Sequence, residues 1–124
     1  METDRSYETC ARLLLEAYPD IHAAIATHNV RSVAHALVMA RYLDLPERAF
    51  EFQMLYGMGD PLKRAVAAAG QRVRVYAPYG DLIPGMAYLV RRLLENVSNE
   101  SFMRQGEASS RAPEELLRSP WVGK

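Results

Sequence analysis

Ala49-Phe50-Glu51-Phe52-Gln53-Met54-Leu55 runs into Gly57-Met58-Gly59-Asp60-Pro61 and then into Leu62, Ala65, Val66 and Ala69. The first segment is rich in aromatics and reads as a strand. The glycines mark a turn, Asp60 is the expected N-cap, and Pro61 suits the first position of a helix, whose N–H has no partner anyway. The four apolar residues that follow share one helical stripe, and Gly70 closes it. This is one strand–helix unit, and it sets the pattern for the chain on either side.

Toward the amino end, Tyr7, Cys10, Ala11, Leu14, Ala17 and Tyr18 follow the spacing of an amphipathic helix ended by Pro19-Asp20. Ile21-His22-Ala23-Ala24-Ile25-Ala26 lacks clean alternation and suits a strand buried on both faces, as parallel strands are, although taken alone the run fits a helix too. Thr27 or Asn29 is the expected cap of a second helix with the stripe Val30, Val33, Ala34, Leu37 and Val38. Toward the carboxyl end, Arg72-Val73-Arg74-Val75-Tyr76-Ala77 predicts a third strand, closed by Pro78 and Gly80. A last helix is expected from about Pro84 to Val97. Beyond Asn99 the chain turns polar, with one short helical turn near Pro113 to Leu117. Strands alternating with helices mean parallel strands joined by right-handed crossovers, so the class is α/β.

Two architectures fit this order, a doubly wound open sheet and a (β/α)₈ barrel. Both place ligands at the carboxyl ends of the strands, where Thr27-His28-Asn29, Gln53 and Tyr76 lie. No G-x-G-x-x-G follows a strand, which weakens a dinucleotide-binding Rossmann reading. Three strands cannot close a barrel of eight, so the inward faces of Phe50, Phe52, Val73 and Val75 are expected to lack an opposite wall.

Composition narrows the function. Lys plus Arg number 15 and Asp plus Glu number 15, a balance that argues against a nucleic-acid module. The single cysteine, Cys10, excludes an internal disulfide and is expected to be a small buried hydrophobe. No apolar run approaches the roughly 18 residues that span a bilayer, and Met1-Glu2-Thr3-Asp4 is unlike a signal peptide. A soluble, cytoplasmic protein is expected, and no metal ligand set.

The richest segment is Ala87-Tyr88-Leu89-Val90-Arg91-Arg92-Leu93-Leu94-Glu95-Asn96. At about 100° per residue, Tyr88, Arg91, Arg92 and Glu95 share one side of a helix, and Met86, Leu89, Val90, Leu93 and Val97 the other. The apolar side is expected to pack on the protein. Paired guanidiniums suit a small carboxylic acid, because arginine's fork matches a carboxylate bidentately. The spacing fits equally a solvated face with Arg91 and Glu95 as a weak surface pair.

Four segments together resemble proline dehydrogenase, above all the flavoprotein domain of bifunctional proline utilisation A enzymes. They are Ala26-Thr27-His28-Asn29, Phe50 through Gly59, Val73-Arg74-Val75-Tyr76-Ala77-Pro78 and Ala87 through Asn96, with Ser98-Asn99-Glu100-Ser101-Phe102 as a further match. The resemblance runs from about Tyr7 to Phe102. It implies the carboxyl-terminal part of a (β/α)₈ TIM-like barrel, about three βα units after a preceding helix, incomplete on its own. Residues 1–105 would form that part and residues 106–124 a polar tail. It implies FAD as cofactor and oxidation of L-proline to Δ1-pyrroline-5-carboxylate. Arg91 and Arg92 would pair with proline's carboxylate, Tyr76 and Tyr88 would wall the pocket, and Leu55 would pack on the substrate ring. Thr27, His28 and Asn29 match the motif that meets FAD, and Gln53 and Glu95 match cofactor-contacting positions. The family also uses a lysine, an aspartate and an arginine from earlier strands, which this chain begins too late to include. The remaining barrel segment or self-association is therefore an expected partner, with a quinone acceptor and peripheral contact with the inner membrane as further implications. The alternative is a non-catalytic α/β fragment or interaction module that keeps the motifs without the chemistry.

Overall fold

The structure is a computed structural model that describes residues 2–81, 83, 85–88, 90–92 and 94. The described residues fall into two compact units, the first ending at Tyr76 and the second beginning at Ala77. In the first unit the order is α1 (Glu2–Glu16), β1 (Ala24–Ala26), α2 (Val30–Tyr42), β2 (Glu51–Leu55), α3 (Asp60–Ala68) and β3 (Arg72–Tyr76). The strands form one parallel sheet in the order β1-β2-β3. In the second unit, residues 83, 85–88, 90–92 and 94 are helical. The rest of the expected last helix, including Pro84 and Glu95–Val97, lies outside the described residues, as do the turn expected near 113–117 and the tail 106–124. Among the described residues no helix is long and apolar enough to cross a membrane.

Register settles which way the sheet faces. Ile25 pairs with Phe52 and Phe52 with Val73, while Met54 pairs with Val75. Partners in a parallel ladder point the same way, and successive residues alternate. Ile25, Phe52 and Met54 are buried, in one cluster with Ala11 and Leu15 of α1, Val33 and Ala36 of α2, and Val66 of α3. All three helices therefore cover a single face of the sheet. A doubly wound sheet carries helices on both faces, whereas a barrel keeps its helices outside and its strand interiors inside. The three strands are an arc of the barrel type.

The opposite face carries Ala24, Glu51 and Arg72 in one row, Ala26, Gln53 and Arg74 in the next, then Leu55 and Tyr76. Two expectations change here. β1 is not covered on both sides, since Ala24 and Ala26 are exposed around a buried Ile25. Phe50 and Phe52 do not face a missing wall. They are buried on the helix side, edge to face with centroids 5.3 Å apart, and Val73 packs partly against the same cluster. The uncovered face is mainly polar. The aromatic run suggested an inward wall, but alternation alone cannot say which parity meets the helices.

The helices show the same ambiguity. On α1 the buried line is Glu8, Ala11 and Leu15, while Cys10, expected inside, is exposed and Leu14 lies at the edge of exposure. The reason is Glu8. Its carboxylate is buried and accepts a hydrogen bond from Arg31 Nε at 2.7 Å, so a charged pair occupies the α1–α2 seam and turns the helix relative to its apolar count. On α2, Ser32, Val33 and Ala36 are buried while Val30 and Val38 are exposed. On α3, Leu62 and Val66 pack inward and Ala65 and Ala69 do not.

Local chemistry starts α2 and α3 at the site end of the sheet. Asn29 is the N-cap of α2, its side chain accepting from the Arg31 N–H at 3.0 Å, and Thr27 Oγ1 accepts from the Asn29 N–H. α3 starts at Asp60, so the cap is Gly59 in a left-handed conformation (φ 63°) and not Asp60. Asp60 instead pairs with Lys63 at 2.6 Å, where a carboxylate favours the positive end of the helix dipole.

Candidate functional site at the strand ends

The carboxyl ends of β1, β2 and β3 bring together five of the residues picked out by sequence: Thr27, His28, Gln53, Leu55 and Tyr76, with Asn29 one residue beyond. The connections are direct. The Leu55 N–H donates to His28 Nε2 at 3.0 Å, so that nitrogen holds a lone pair, and in the neutral ring Nδ1 carries the proton. Lys63 Nζ donates to the Leu55 carbonyl at 2.9 Å. The Leu55 backbone is thus held at its N–H by the β1 loop and at its carbonyl by α3. Gly59 lies close by. A Cβ there would meet His28 Cδ2 at 3.3 Å, so the glycine leaves room for the imidazole as well as permitting the turn. Tyr7, half-buried on α1, donates its hydroxyl to the Ala26 carbonyl at 3.1 Å. Burial raises the phenol's pKa, and a hydrogen bond with Thr27 partly opposes that rise.

On the open face Glu51 is the centre of a second network. Arg74 grips its carboxylate through two hydrogen bonds, Nε at 2.7 Å and Nη2 at 2.9 Å, and Gln53 Nε2 donates to it at 2.9 Å. The Tyr76 hydroxyl donates to Gln53 Oε1, also at 2.9 Å. The hydrogen bond from Arg74, then that from Gln53, hold the Glu51 carboxyl down at about 2. It is a fixed negative charge at any ordinary pH.

In the second unit Arg92 and Tyr88 lie one turn apart, with the guanidinium carbon 5.2 Å from the ring centroid, a cation–π contact that braces the arginine. Tyr88 and Arg92 are half-buried and Arg91 is exposed. Met86 and Val90, expected to pack inward, are 49% and 51% exposed, with Ile83 and Leu94 more so. Spacing identifies which residues share a stripe, not which stripe meets protein. Glu95 lies outside the described residues.

Sequence reading missed Glu51, Arg74, Lys63 and Tyr7. Glu51 and Arg74 were legible in principle, because they share strand parity with Gln53 and Tyr76. Lys63 and Tyr7 reach the strand tips only through packing and left no local signal.

A one-sided parallel α/β arc whose polar side chains converge at the strand ends defines a barrel-type protein with its site on the carboxyl face. Comparison with known proteins narrows this to a family. The proline dehydrogenase family model matches residues 1–105, and the chain belongs to that family. The bifunctional protein PutA of Escherichia coli (strain K12) is 40% identical over 124 residues, covering 95% of this chain and 9% of PutA. A proline dehydrogenase of Deinococcus radiodurans is 42% identical over 82 residues, 66% of this chain and 26% of that protein. The crystal structure of proline utilization A from Bdellovibrio bacteriovorus inactivated by N-propargylglycine superposes with a TM-score of 0.87 at 52% identity, covering 99% of this chain and 13% of that one. The chain thus spans about a tenth of the length of the PutA proteins it matches.

Proposed function

We propose that this chain is the carboxyl-terminal portion of an FAD-dependent proline dehydrogenase barrel, residues 1–105, and serves oxidation of L-proline to Δ1-pyrroline-5-carboxylate in proline catabolism. The observation that carries the proposal is the meeting of the Thr27-His28-Asn29 loop with Leu55 through the hydrogen bond to His28. The motif that resembles the family's cofactor segment and the residue that resembles its substrate-packing position are joined in one strand-end cluster. One of the solved relatives, a proline utilization A, is described with proline bound in remote sites, which supports proline as the ligand class.

The residues present suit FAD. Asn29 satisfies one N–H of the first turn of α2, and the other N–H groups at a helix start favour an anion such as a pyrophosphate. Thr27, His28, Asn29 and Gln53 would hold the cofactor, with Glu95 beyond the described residues as a further contact. When bound, the flavin supplies the two-electron oxidation. The chain's own part is orientation. Arg91 and Arg92 take the substrate carboxylate as a charge-assisted pair, Tyr88 stiffens Arg92, and Leu55 and Tyr76 line the ring. Holding the substrate in one pose is where such a site contributes most to rate. The missing strands would come from the remaining barrel segment or a second copy. A quinone acceptor and peripheral contact with the inner membrane fit the same reading.

Two measurements test it. An absorbance spectrum of the purified protein with flavin bands supports a working flavoenzyme portion, and their absence supports a non-catalytic module that kept the motifs. In the flavin-loaded protein, Arg91→Ala and Arg92→Ala should each raise KM for proline by at least ten-fold, the worth of a charged hydrogen bond. An unchanged KM in both refutes the carboxylate clamp.

A further inference from the structure

We infer that Tyr7 is a positioning residue for the connection between β1 and α2, its hydroxyl holding Thr27-His28-Asn29 in the shape that a ligand at the strand ends meets. The inference rests on the reading of that connection as the cofactor contact, but its logic comes from hydrogen bonds within the chain.

The ring of Tyr7 packs partly against the core cluster, so its hydroxyl has a fixed place beside the end of β1. A carbonyl only accepts, so the single phenolic proton goes to the Ala26 carbonyl at 3.1 Å. The hydrogen bond between Tyr7 and Thr27 must then run the other way, from the Thr27 hydroxyl to the phenolic oxygen. Thr27 Oγ1 in turn accepts from the Asn29 N–H at 3.0 Å. A continuous path leads from Asn29 through Thr27 and Tyr7 back to Ala26, and it ties the two ends of the connection to one hydroxyl. Asn29, so held, accepts from the Arg31 N–H and caps α2.

The next residue of α1 completes the hold. Glu8 lies about 100° further round the helix and accepts from Arg31 Nε at 2.7 Å. Neighbouring side chains of α1 therefore bracket the connection, Tyr7 on its strand side and Glu8 on its helix side. The Leu55 N–H fixes His28 in the middle. Ordering loop residues opposes binding when it has to happen on binding. Here α1 has ordered them in advance. Tyr7 acts on the ligand through Thr27 and the loop backbone, from a position 19 residues before Ala26.

Two arms test this. In the 124-residue chain labelled for NMR, three-bond couplings of the Thr27 methyl carbon read the rotamer of that side chain. Tyr7→Phe keeps the packed ring and removes the hydroxyl. The Thr27 couplings should then average over rotamers, and the Asn29 N–H resonance should shift with them. Couplings that keep a single-rotamer value overturn the proposal. A role of Tyr7 in stability alone would lower the urea midpoint and leave them in place. The second arm is a double-mutant cycle on Kd for FAD, read by flavin fluorescence. Tyr7→Phe and Thr27→Val should each raise Kd by about three- to ten-fold, the worth of one neutral hydrogen bond. Together they should raise it by less than the product, because one acts through the other. Effects that multiply, or a Kd that Tyr7→Phe leaves in place, overturn the positioning role with the flavin reading intact. Unaltered protein that takes up no FAD defeats the flavin reading instead, and the couplings still decide whether Tyr7 holds the loop.

Discussion

Removing the Glu8 carboxylate tests whether a charged pair, and not an apolar stripe, determines how α1 seats on α2. Two ion pairs in the first unit have the same N···O distance of 2.7 Å but different surroundings. The Glu8 and Arg31 side chains are 3% and 19% exposed, whereas those of Glu16 and Arg12 are 34% and 57% exposed. Breaking a buried pair by deleting one partner leaves the other charge uncompensated and costs about 3–5 kcal/mol. Arg31 keeps about a fifth of its surface and can partly rehydrate, so Glu8→Ala should cost about 2–3 kcal/mol, below the full buried-pair penalty. For a chain of this size that is a fall of roughly 10 °C in Tm. Glu16→Ala, which breaks an exposed i, i+4 pair, should cost less than about 0.5 kcal/mol. Urea unfolding followed by far-UV circular dichroism gives both numbers from midpoints at constant slope. If Glu8→Ala moves the midpoint no further than Glu16→Ala, the seam is not held by that pair, and the account of why Cys10 faces outward fails with it.

Phe52 is fully buried at the centre of the helix-facing cluster, so Phe52→Ala should destabilise by about 3–5 kcal/mol in the same urea assay. Asn29→Ala removes the α2 cap and should cost about 1 kcal/mol, with amide exchange accelerating first at Arg31. The Glu51 carboxyl lies at about 2 in the folded chain against 4.5 ordinarily, a depressed value. The stability it contributes is complete above about pH 4.5 and is lost as pH falls through about 2. Acid unfolding of Glu51→Gln should accordingly show a flatter limb over that window, and an unchanged limb would contradict the Arg74 grip.

Much of this was legible from the order of residues. The α/β alternation followed from apolar spacing, the turn after Leu55 from two glycines and a proline, and the α2 cap from the pair Thr27 and Asn29, of which the structure uses Asn29, because each depends on neighbours within one turn. The candidate site residues came from segments that resemble the proline dehydrogenase family, and the structure draws Thr27, His28, Gln53, Leu55 and Tyr76 together. Their wiring was not visible. Nothing near His28 in sequence says that its acceptor nitrogen is used by a backbone N–H 27 residues away, or that Lys63 holds the carbonyl of the same residue.

What the sequence alone determined was periodicity: which stretches are strand or helix, and which side chains share a parity or a stripe. Only the tertiary structure decided which of two equivalent faces is covered. Burial of Ile25, Phe52 and Met54 beneath three helices on one side turned Glu51, Gln53, Arg74 and Tyr76 to the other. The physical reason is that a strand's alternation is symmetric under exchange of its faces, and that symmetry is broken by what packs against it. A buried charge such as Glu8, and a parity that hides aromatics while presenting arginines, come from long-range contacts that no local pattern encodes.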